Sequence, residues 1–137
     1  MITEVRKVRL DLRSQDQLSI ARRTVQEWAT GLGFGTLDRT KLVTAASEIG
    51  RNTLVHGLGG EMTIAELSRD GVTGLALEFQ DTGPGIADIA QAMTDGFTTA
   101  KSMGLGLGGA KRLVNEFEVQ SEPGRGTRVN LIQWKRR

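Results

Sequence analysis

The stretch Gly104-Leu105-Gly106-Leu107-Gly108-Gly109 opens a segment whose apolar residues recur at helical spacing. Glycines at the start of a helix leave backbone N–H groups accessible, and the helix N-terminus adds a partial positive charge. The stretch therefore predicts a loop and helix start that bind phosphate groups. The apolar positions that predict the helix are Leu107, Ala110, Leu113, Val114 and Phe117.

Two common phosphate-binding folds do not fit this stretch. A P-loop ends in Gly-Lys-Ser/Thr, whereas here the first lysine, Lys111, lies three residues past Gly108. A Rossmann fingerprint follows a strand and completes a βαβ unit, and neither pattern is present around Gly104. Identifying the nucleotide-binding fold therefore requires motifs from other segments of the chain.

Upstream, Asp81-Thr82-Gly83-Pro84-Gly85 directly follows an apolar segment that predicts a strand. A carboxylate at a strand end, followed by two glycines around a proline, predicts a tight turn where backbone approaches a ligand. Asp81 can accept a hydrogen bond from an exocyclic amine such as adenine N6. A plain turn with a capping aspartate explains the same residues.

Further upstream, Glu48-Ile49-Gly50-Arg51-Asn52 lies in a predicted helix. Glu48 and Asn52 are four residues apart, so their side chains lie one turn above the other. A carboxylate and an amide oxygen in that arrangement suit a hard cation or its water shell. A solvated helix face accounts for the same pair when it is considered alone.

The remaining pattern predicts a strand, two helices, a two-stranded hairpin, a loop, a helix and two strands. Ser14 and Gln17 predict a capping box, Thr36 or Asp38 a second N-cap, and Arg69-Asp70-Gly71 a hairpin turn. This order favours an open mixed sheet with helices on one face. The predicted strands are 5–12, 63–67, 75–79, 119 onward and 129–133, and the predicted helices are 14–32, 36–55 and 104–117.

Composition limits the function classes. The chain has 137 residues, one histidine and no cysteine, so we expect a single domain (1–137) without disulfides, thiolate metal sites or multi-histidine sites. Lys135-Arg136-Arg137 is the one dense basic run, and aromatic residues are few, so we expect no nucleic-acid partner. Without a membrane-length apolar run or a signal-peptide pattern, the predicted location is cytoplasmic, with no membrane contact.

Together and in this order, the three segments resemble the N-box, G1 box and G2 box of the GHKL (Bergerat-fold, HATPase_c) ATPases. Gly124-Arg125-Gly126-Thr127 is similar to the Gly-x-Gly-Thr segment of that family, and Ile86–Met103 lies where the family has its ATP lid. The resemblance implies an α+β fold, a two-layer α/β sandwich with a mixed sheet, helices on one face and a mobile lid. It also implies that the chain binds ATP and Mg²⁺.

The resemblance assigns roles residue by residue. Glu48 is the implied general base, Asn52 helps to hold Mg²⁺ together with phosphate oxygens and water, and Asp81 and Thr127 select adenine. A solvated side chain is an equal alternative for Lys101, and His56 is expected to be structural. The other implied nucleotide-binding residues are Gly83, Gly85, Ile86, Lys101, Gly104, Leu105, Gly106, Leu107 and Gly108.

Within that superfamily, the chain resembles the small serine/threonine protein kinases of bacterial partner-switching pathways, the RsbT-type stressosome kinases. The resemblance implies transfer of the ATP γ-phosphate to a serine or threonine of a STAS-domain protein, the scaffold or antagonist of the pathway. The kinase then binds and activates an effector such as a PP2C-type phosphatase or a cyclase. The segments that carry the resemblance are Asp95–Thr99, Gly104–Gly108, Ala110–Leu113, Glu116-Phe117 and Ser121–Thr127.

Two alternatives remain at this point. An anti-sigma factor kinase of the RsbW/SpoIIAB type has the same ATP site but sequesters a sigma factor. A nucleotide-gated binding module has little catalysis, and the presence of both Glu48 and Asn52 argues against that alternative.

Overall fold

The computed structural model describes residues 1–86, 93 and 106–136. Within them, three helices pack against one face of a five-stranded sheet. The predicted α+β fold with helices on one face is therefore confirmed. The elements are β1 (Ile2–Leu12), α1 (Gln15–Gly31), α2 (Thr36–Val55), β2 (Gly60–Arg69), β3 (Val72–Asp81), α3 (Gly106–Leu113), β4 (Glu116–Glu122) and β5 (Gly126–Trp134).

The sheet has the strand order β1-β2-β3-β5-β4, and each neighbouring pair is antiparallel. The order of elements predicts a mixed sheet, and in the structure the helix between β3 and β4 does make β4 run in the same direction as β3. The structure inserts β5 between these two strands, so their common direction produces no parallel pairing among the described strands.

The start of α1 follows the predicted capping chemistry. Ser14 Oγ accepts from the backbone N–H of Gln17 at 3.1 Å, and Gln17 Oε1 accepts from the N–H of Arg13 at 2.7 Å. The Gln17 side chain thus reaches one residue further back than in the usual box, whose partner is the N-cap N–H itself. None of the three described helices is both long enough and apolar enough to cross a membrane.

The start of α2 differs from the prediction. Gly35 is the N-cap and no side chain caps the helix, so neither Thr36 nor Asp38 has that role. Asp38 is instead buried, and both of its carboxylate oxygens accept from Arg136, at 2.9 Å from Nε and 3.2 Å from Nη2. The helix ends as predicted, with His56 as C-cap after Val55.

The β2–β3 hairpin is longer than the alternating apolar residues suggest. Asp70 and Gly71 both have positive φ (51° and 79°), as a two-residue hairpin turn of mirror-image type requires. From this turn the ladder continues to Gly60, which pairs with Asp81. This register brings the segment that follows α2 to the end of β3, where Asp81 lies.

The core lies between the helices and the inner face of the sheet. The predicted face of α2 is buried, including Leu42, Ala45, Ala46, Ile49 and Thr53. Helix α3 ends earlier than its apolar spacing suggests, at Leu113, and Phe117 belongs to β4. The largest side chains with almost no exposure are Phe34, Phe79, Leu12, Leu42, Ile49, Met62, Ile64, Leu75, Leu77, Leu131 and Val25.

Replacing Gly60 with alanine tests whether close packing at the end of the hairpin holds β2 against β3. A Cβ at Gly60 would overlap the carbonyl oxygen of Gln80, which is backbone and cannot turn aside. We expect Gly60→Ala to lower the free energy of unfolding by about 1–3 kcal/mol in urea titrations, because overpacking must shift the strands.

Gly31→Ala is the matched control, because nothing lies within 4 Å of a Cβ at that position, the last residue of α1. We expect this variant to be unchanged or more stable by about 0.4–1 kcal/mol. Equal stability of Gly60→Ala and wild type would contradict the tight register at Asp81.

Candidate functional site

Asp81, the last residue of β3, is held in one orientation. It is 7% exposed, and its Oδ1 accepts from the backbone N–H groups of Gly83, at 2.9 Å, and Thr127, at 3.2 Å. Hydrogen bonds between described residues thus use Oδ1 and leave Oδ2 free to accept from another group. The result is a fixed carboxylate oxygen with an available lone pair at the end of a strand.

Gly57 lies directly against this carboxylate. A Cβ at Gly57 would overlap Asp81 Oδ2, and a Cβ at Gly83 would stand 2.7 Å from the Gly57 carbonyl oxygen. The turn that carries Gly57 is held by its own N–H, which donates to Asn52 O at 3.0 Å. The end of α2 therefore delivers bare backbone to Asp81 and leaves the space beside Oδ2 without a side chain.

The turn between β4 and β5 forms the third side of the cluster. Gly126 has a φ of +91°, and a Cβ there would overlap the Asp81 carbonyl oxygen. Gly85 has a φ of +77°, and its Cβ would overlap the Glu122 carbonyl oxygen. Gly124 N–H donates to Pro84 O at 2.7 Å. Segments 81–86 and 122–127, which are far apart in sequence, thus pack backbone to backbone.

Ser121 links these two segments and is a residue that sequence reasoning did not place in the site. Its Oγ accepts from Ile86 N–H at 2.7 Å, donates to Gly126 O at 3.0 Å and lies 2.9 Å from Thr127 Oγ1. Because the Ser121 proton goes to Gly126, the Thr127 hydroxyl is the donor in their contact. The available signal was a hydroxyl at an inward position of β4, in line with Phe117 and Val119.

Glu48 and Asn52 lie near the C-terminal end of α2. Glu48 is 8% exposed, and its Oε1 accepts from Arg51 Nη1 at 3.0 Å. Its other oxygen, Oε2, is buried and has no hydrogen-bond partner in the described part of the chain. Asn52 is half-buried, one turn along the same helix. A buried carboxylate oxygen without a donor costs free energy unless a ligand supplies the partner.

The glycine-rich segment is only partly described. Gly106, Leu107 and Gly108 begin α3 and are buried, and α3 packs against α2, the helix of Glu48 and Asn52. The structure thus packs the helix that carries the Glu48–Asn52 motif against the helix that the glycine-rich motif begins. Lys101, Gly104, Leu105, the predicted lid and the Asp95–Thr99 motif lie wholly or largely outside the described residues.

The described residues fit a nucleotide. The hydrogen bonds that Asp81 accepts from described residues use Oδ1 and not Oδ2, and Glu48 Oε2 is buried without a donor among the described residues. Gly57 packs against the Asp81 carboxylate and places no side chain over Oδ2. Among the described residues, no group of three or more His, Cys, Asp and Glu side chains could hold a metal ion. The Asn52 amide oxygen is one suitable ligand for a hard cation, which also accepts phosphate and water oxygens.

Comparison with known proteins shows the family to which the chain belongs. The model of the histidine kinase-like ATPase domain family matches residues 13–133. The serine/threonine-protein kinase RsbT of Bacillus subtilis (strain 168) is 41% identical over 116 residues, which are 85% of this chain and 87% of that protein. The anti-sigma F factor of Thermoanaerobacter sp. (strain X514) is 33% identical over 129 residues, 89% of this chain and 87% of that protein.

Among solved structures, the RsbU and RsbW domains of a Mycobacterium tuberculosis protein superpose with a TM-score of 0.61. The match covers 97% of this chain and 34% of that one, at 21% sequence identity. It therefore supports the fold alone. The sequence relatives support the predicted family and the prediction of an ATP-dependent protein kinase.

Asp81→Asn tests the role of Asp81 in nucleotide choice. Asparagine keeps an acceptor for the Gly83 and Thr127 N–H groups but replaces Oδ2 with an amide donor, which opposes the amine of adenine. We expect ATP affinity to fall by about 10- to 100-fold, which is the cost of a buried unpaired polar group. GTP carries an acceptor where ATP carries the amine, so we also expect the affinity for GTP to rise relative to the affinity for ATP.

Calorimetric titration with non-hydrolysable ATP and GTP analogues measures both affinities. Glu78→Gln is the control, because Glu78 lies on the same strand but on the other face of the sheet. An Asp81→Asn variant that binds ATP as tightly as wild type would remove Asp81 from the nucleotide site.

Proposed function

The chain belongs to the histidine kinase-like ATPase domain family, and we propose that it is a partner-switching kinase that phosphorylates a STAS-domain protein. The γ-phosphate of ATP goes to a serine or threonine hydroxyl of that protein. The observation that carries the proposal is the buried Glu48 carboxylate, one oxygen of which has no donor among the described residues, in a chain 41% identical to a serine/threonine-protein kinase.

Residues at the Asp81 side of the site would hold adenine. Asp81 Oδ2 accepts from the exocyclic amine, and Thr127 lies beside it because its N–H is already bonded to Asp81 Oδ1. Gly83 and Gly85 allow the backbone to lie close to the adenine ring, and Ile86 supplies an apolar side chain beside that ring. The polar contact gives specificity, while the apolar and backbone surface supplies most of the contact area.

Residues at the α3 side would hold the phosphates. Backbone N–H groups at the start of α3 point toward its N-terminus, where the helix also carries a partial positive charge. Lys101 is a further proposed phosphate ligand. The proposed backbone and side-chain contacts come from Gly104, Leu105, Gly106, Leu107 and Gly108.

Asn52 would take part in binding Mg²⁺, together with phosphate oxygens and water. When bound, Mg²⁺ neutralises charge on the phosphate oxygens. Asn52 is suited to this because it is half-buried on α2, one turn from Glu48 and on the helix against which α3 packs. Its amide oxygen is a ligand type that Mg²⁺ accepts.

Glu48 acts as the general base in the transfer. The hydroxyl oxygen of the substrate serine or threonine forms a bond to the γ-phosphorus, while the bond from that phosphorus to the ADP oxygen breaks. The hydroxyl proton passes to Glu48 Oε2, so the products are a phosphoprotein, ADP and a protonated Glu48. Phosphoryl transfer depends mainly on positioning and charge neutralisation, so an ordinary carboxylate suffices as base.

Phosphorylation would also act as a switch. Once the STAS-domain scaffold or antagonist is phosphorylated, the kinase leaves it and binds a second partner, a PP2C-type phosphatase or a cyclase, which it activates. A chain that consists of one domain, 1–137, and works in the cytoplasm fits this role. Both of these features remain predictions from the sequence.

The second candidate function is that of an anti-sigma factor kinase. It is favoured by the 33% identity to anti-sigma F factors, which covers 89% of this chain. Such a protein would use the same ATP site but hold a sigma factor. The higher identity to the RsbT kinase, 41%, favours the first candidate.

Transfer of label from γ-labelled ATP tests the proposal. Purified protein is incubated with Mg²⁺, labelled ATP and each STAS-domain protein of the same genome. We expect label on a serine or threonine of one of them, and a loss of about 100-fold or more in Glu48→Gln, because glutamine cannot take the proton.

Glu118→Gln is the matched control, since Glu118 lies on the exposed face of β4 and alternates with the inward-facing Phe117 and Val119. Full transfer by Glu48→Gln would remove Glu48 as the base. Absence of label on every STAS-domain protein, with ATP still bound, would refute the kinase proposal. Transfer of label together with co-purification of a sigma factor would instead favour the anti-sigma alternative.

A further inference from the structure

The ion pair of Arg51 and Glu48 joins a partly exposed arginine to a buried carboxylate. The Glu48 side chain is 11% exposed and the Arg51 side chain 36% exposed, with 3.0 Å between Nη1 and Oε1. The partly exposed Arg51 side chain therefore donates to a Glu48 carboxylate that is largely shielded from solvent. It contacts one carboxylate oxygen and leaves Oε2 without a donor among the described residues.

We propose that Arg51 is a positioning residue for the base: it holds Glu48 Oε1 so that Oε2 remains directed at the substrate hydroxyl. This inference rests on the proposed function, since it concerns the same base. Arg51 touches neither the hydroxyl nor the phosphorus in this scheme, and acts only through Glu48.

A second carboxylate on α2 shows how a purely structural pair differs. Asp38 is buried, 4% exposed against 8% for Glu48, and Arg136 donates to both of its oxygens. That pairing satisfies the carboxylate completely. The geometry of Arg51 instead satisfies half of the carboxylate, which stabilises the negative charge but keeps an acceptor available.

The pair also limits where the carboxylate can turn. A glutamate has three rotatable bonds, and a buried carboxylate without a partner is driven toward water. The charge-assisted hydrogen bond to Arg51 opposes that movement. As the hydroxyl proton arrives on Oε2, Oε1 keeps its hydrogen bond to Arg51, so the carboxyl group holds its position through the transfer.

Four variants test the inference in the labelled-ATP transfer assay: Arg51→Ala, Arg51→Lys, Glu48→Gln and the double variant Glu48→Gln/Arg51→Ala. We expect Arg51→Ala to lower kcat by about 100-fold with KM for ATP unchanged, because a misplaced base costs rate and not binding. Arg51→Lys should recover part of this loss. Millimolar guanidinium chloride should also restore activity to Arg51→Ala, but not to Glu48→Gln.

The double variant gives the sharpest result. If Arg51 acts only through Glu48, the double variant is as slow as Glu48→Gln alone, since two residues that act as a unit are not additive. Arg22→Ala is the control for loss of an arginine from an exposed helix position. Thermal unfolding of each variant separates misfolding from loss of positioning, and Arg51→Lys keeps the test valid if Arg51→Ala fails to fold.

Three results would overturn the inference. The first is unchanged kcat in Arg51→Ala. The second is a raised KM for ATP at constant kcat, which would make Arg51 a nucleotide ligand. The third is an equal loss from Arg51→Ala in the Glu48→Gln background. Absence of any transfer by wild type would refute the proposed function itself, and the inference with it, whereas the first three results refute the inference alone.

Discussion

Close packing of bare backbone around Asp81 is the constraint on which the site depends. Side chains at Gly57, Gly83, Gly85 and Gly126 would overlap or crowd neighbouring backbone or the Asp81 carboxylate. Each glycine comes from a segment that the sheet register brings to the end of β3, and Ser121 ties two of these segments together. The carboxylate is therefore fixed by the fold before any ligand arrives, so binding does not have to pay for ordering it.

Helix α2 connects the Asp81 end of the site to Glu48, the proposed general base. Its last turn leads to Gly57 at Asp81, and Glu48 lies two turns earlier on the same helix. A rigid element spanning both points sets the distance between Asp81, the proposed adenine acceptor, and Glu48, the proposed general base. At its other end, the fully satisfied pair of Asp38 and Arg136 holds the C-terminal residues against α2. Glu48, with one carboxylate oxygen bonded to Arg51, lies at the proposed catalytic site. Asp38, with both oxygens bonded to Arg136, stabilises the fold.

Much of the fold was predictable from local signals. Ser14 with Gln17 and the Asp70-Gly71 turn carry their own hydrogen-bonding or φ requirements, so sequence alone identified them. Phe117 was wrongly assigned to a helix because Leu113, Val114 and Phe117 suit a 3.6-residue period over a short window. The role of Asp38 could not be predicted, since its partner lies 98 residues away. The same holds for Ser121 and for the contact of Gly57 with Asp81, which depend on register and not on local spacing.

A crystal structure with Mg²⁺ and a non-hydrolysable ATP analogue would test the central claim most directly. We expect the adenine amine to donate to Asp81 Oδ2 in the space beside Gly57, and Glu48 Oε2 to face the γ-phosphate while Oε1 stays bonded to Arg51. Nucleotide bound away from Asp81, or Glu48 turned away from the phosphate with both oxygens engaged elsewhere, would contradict it.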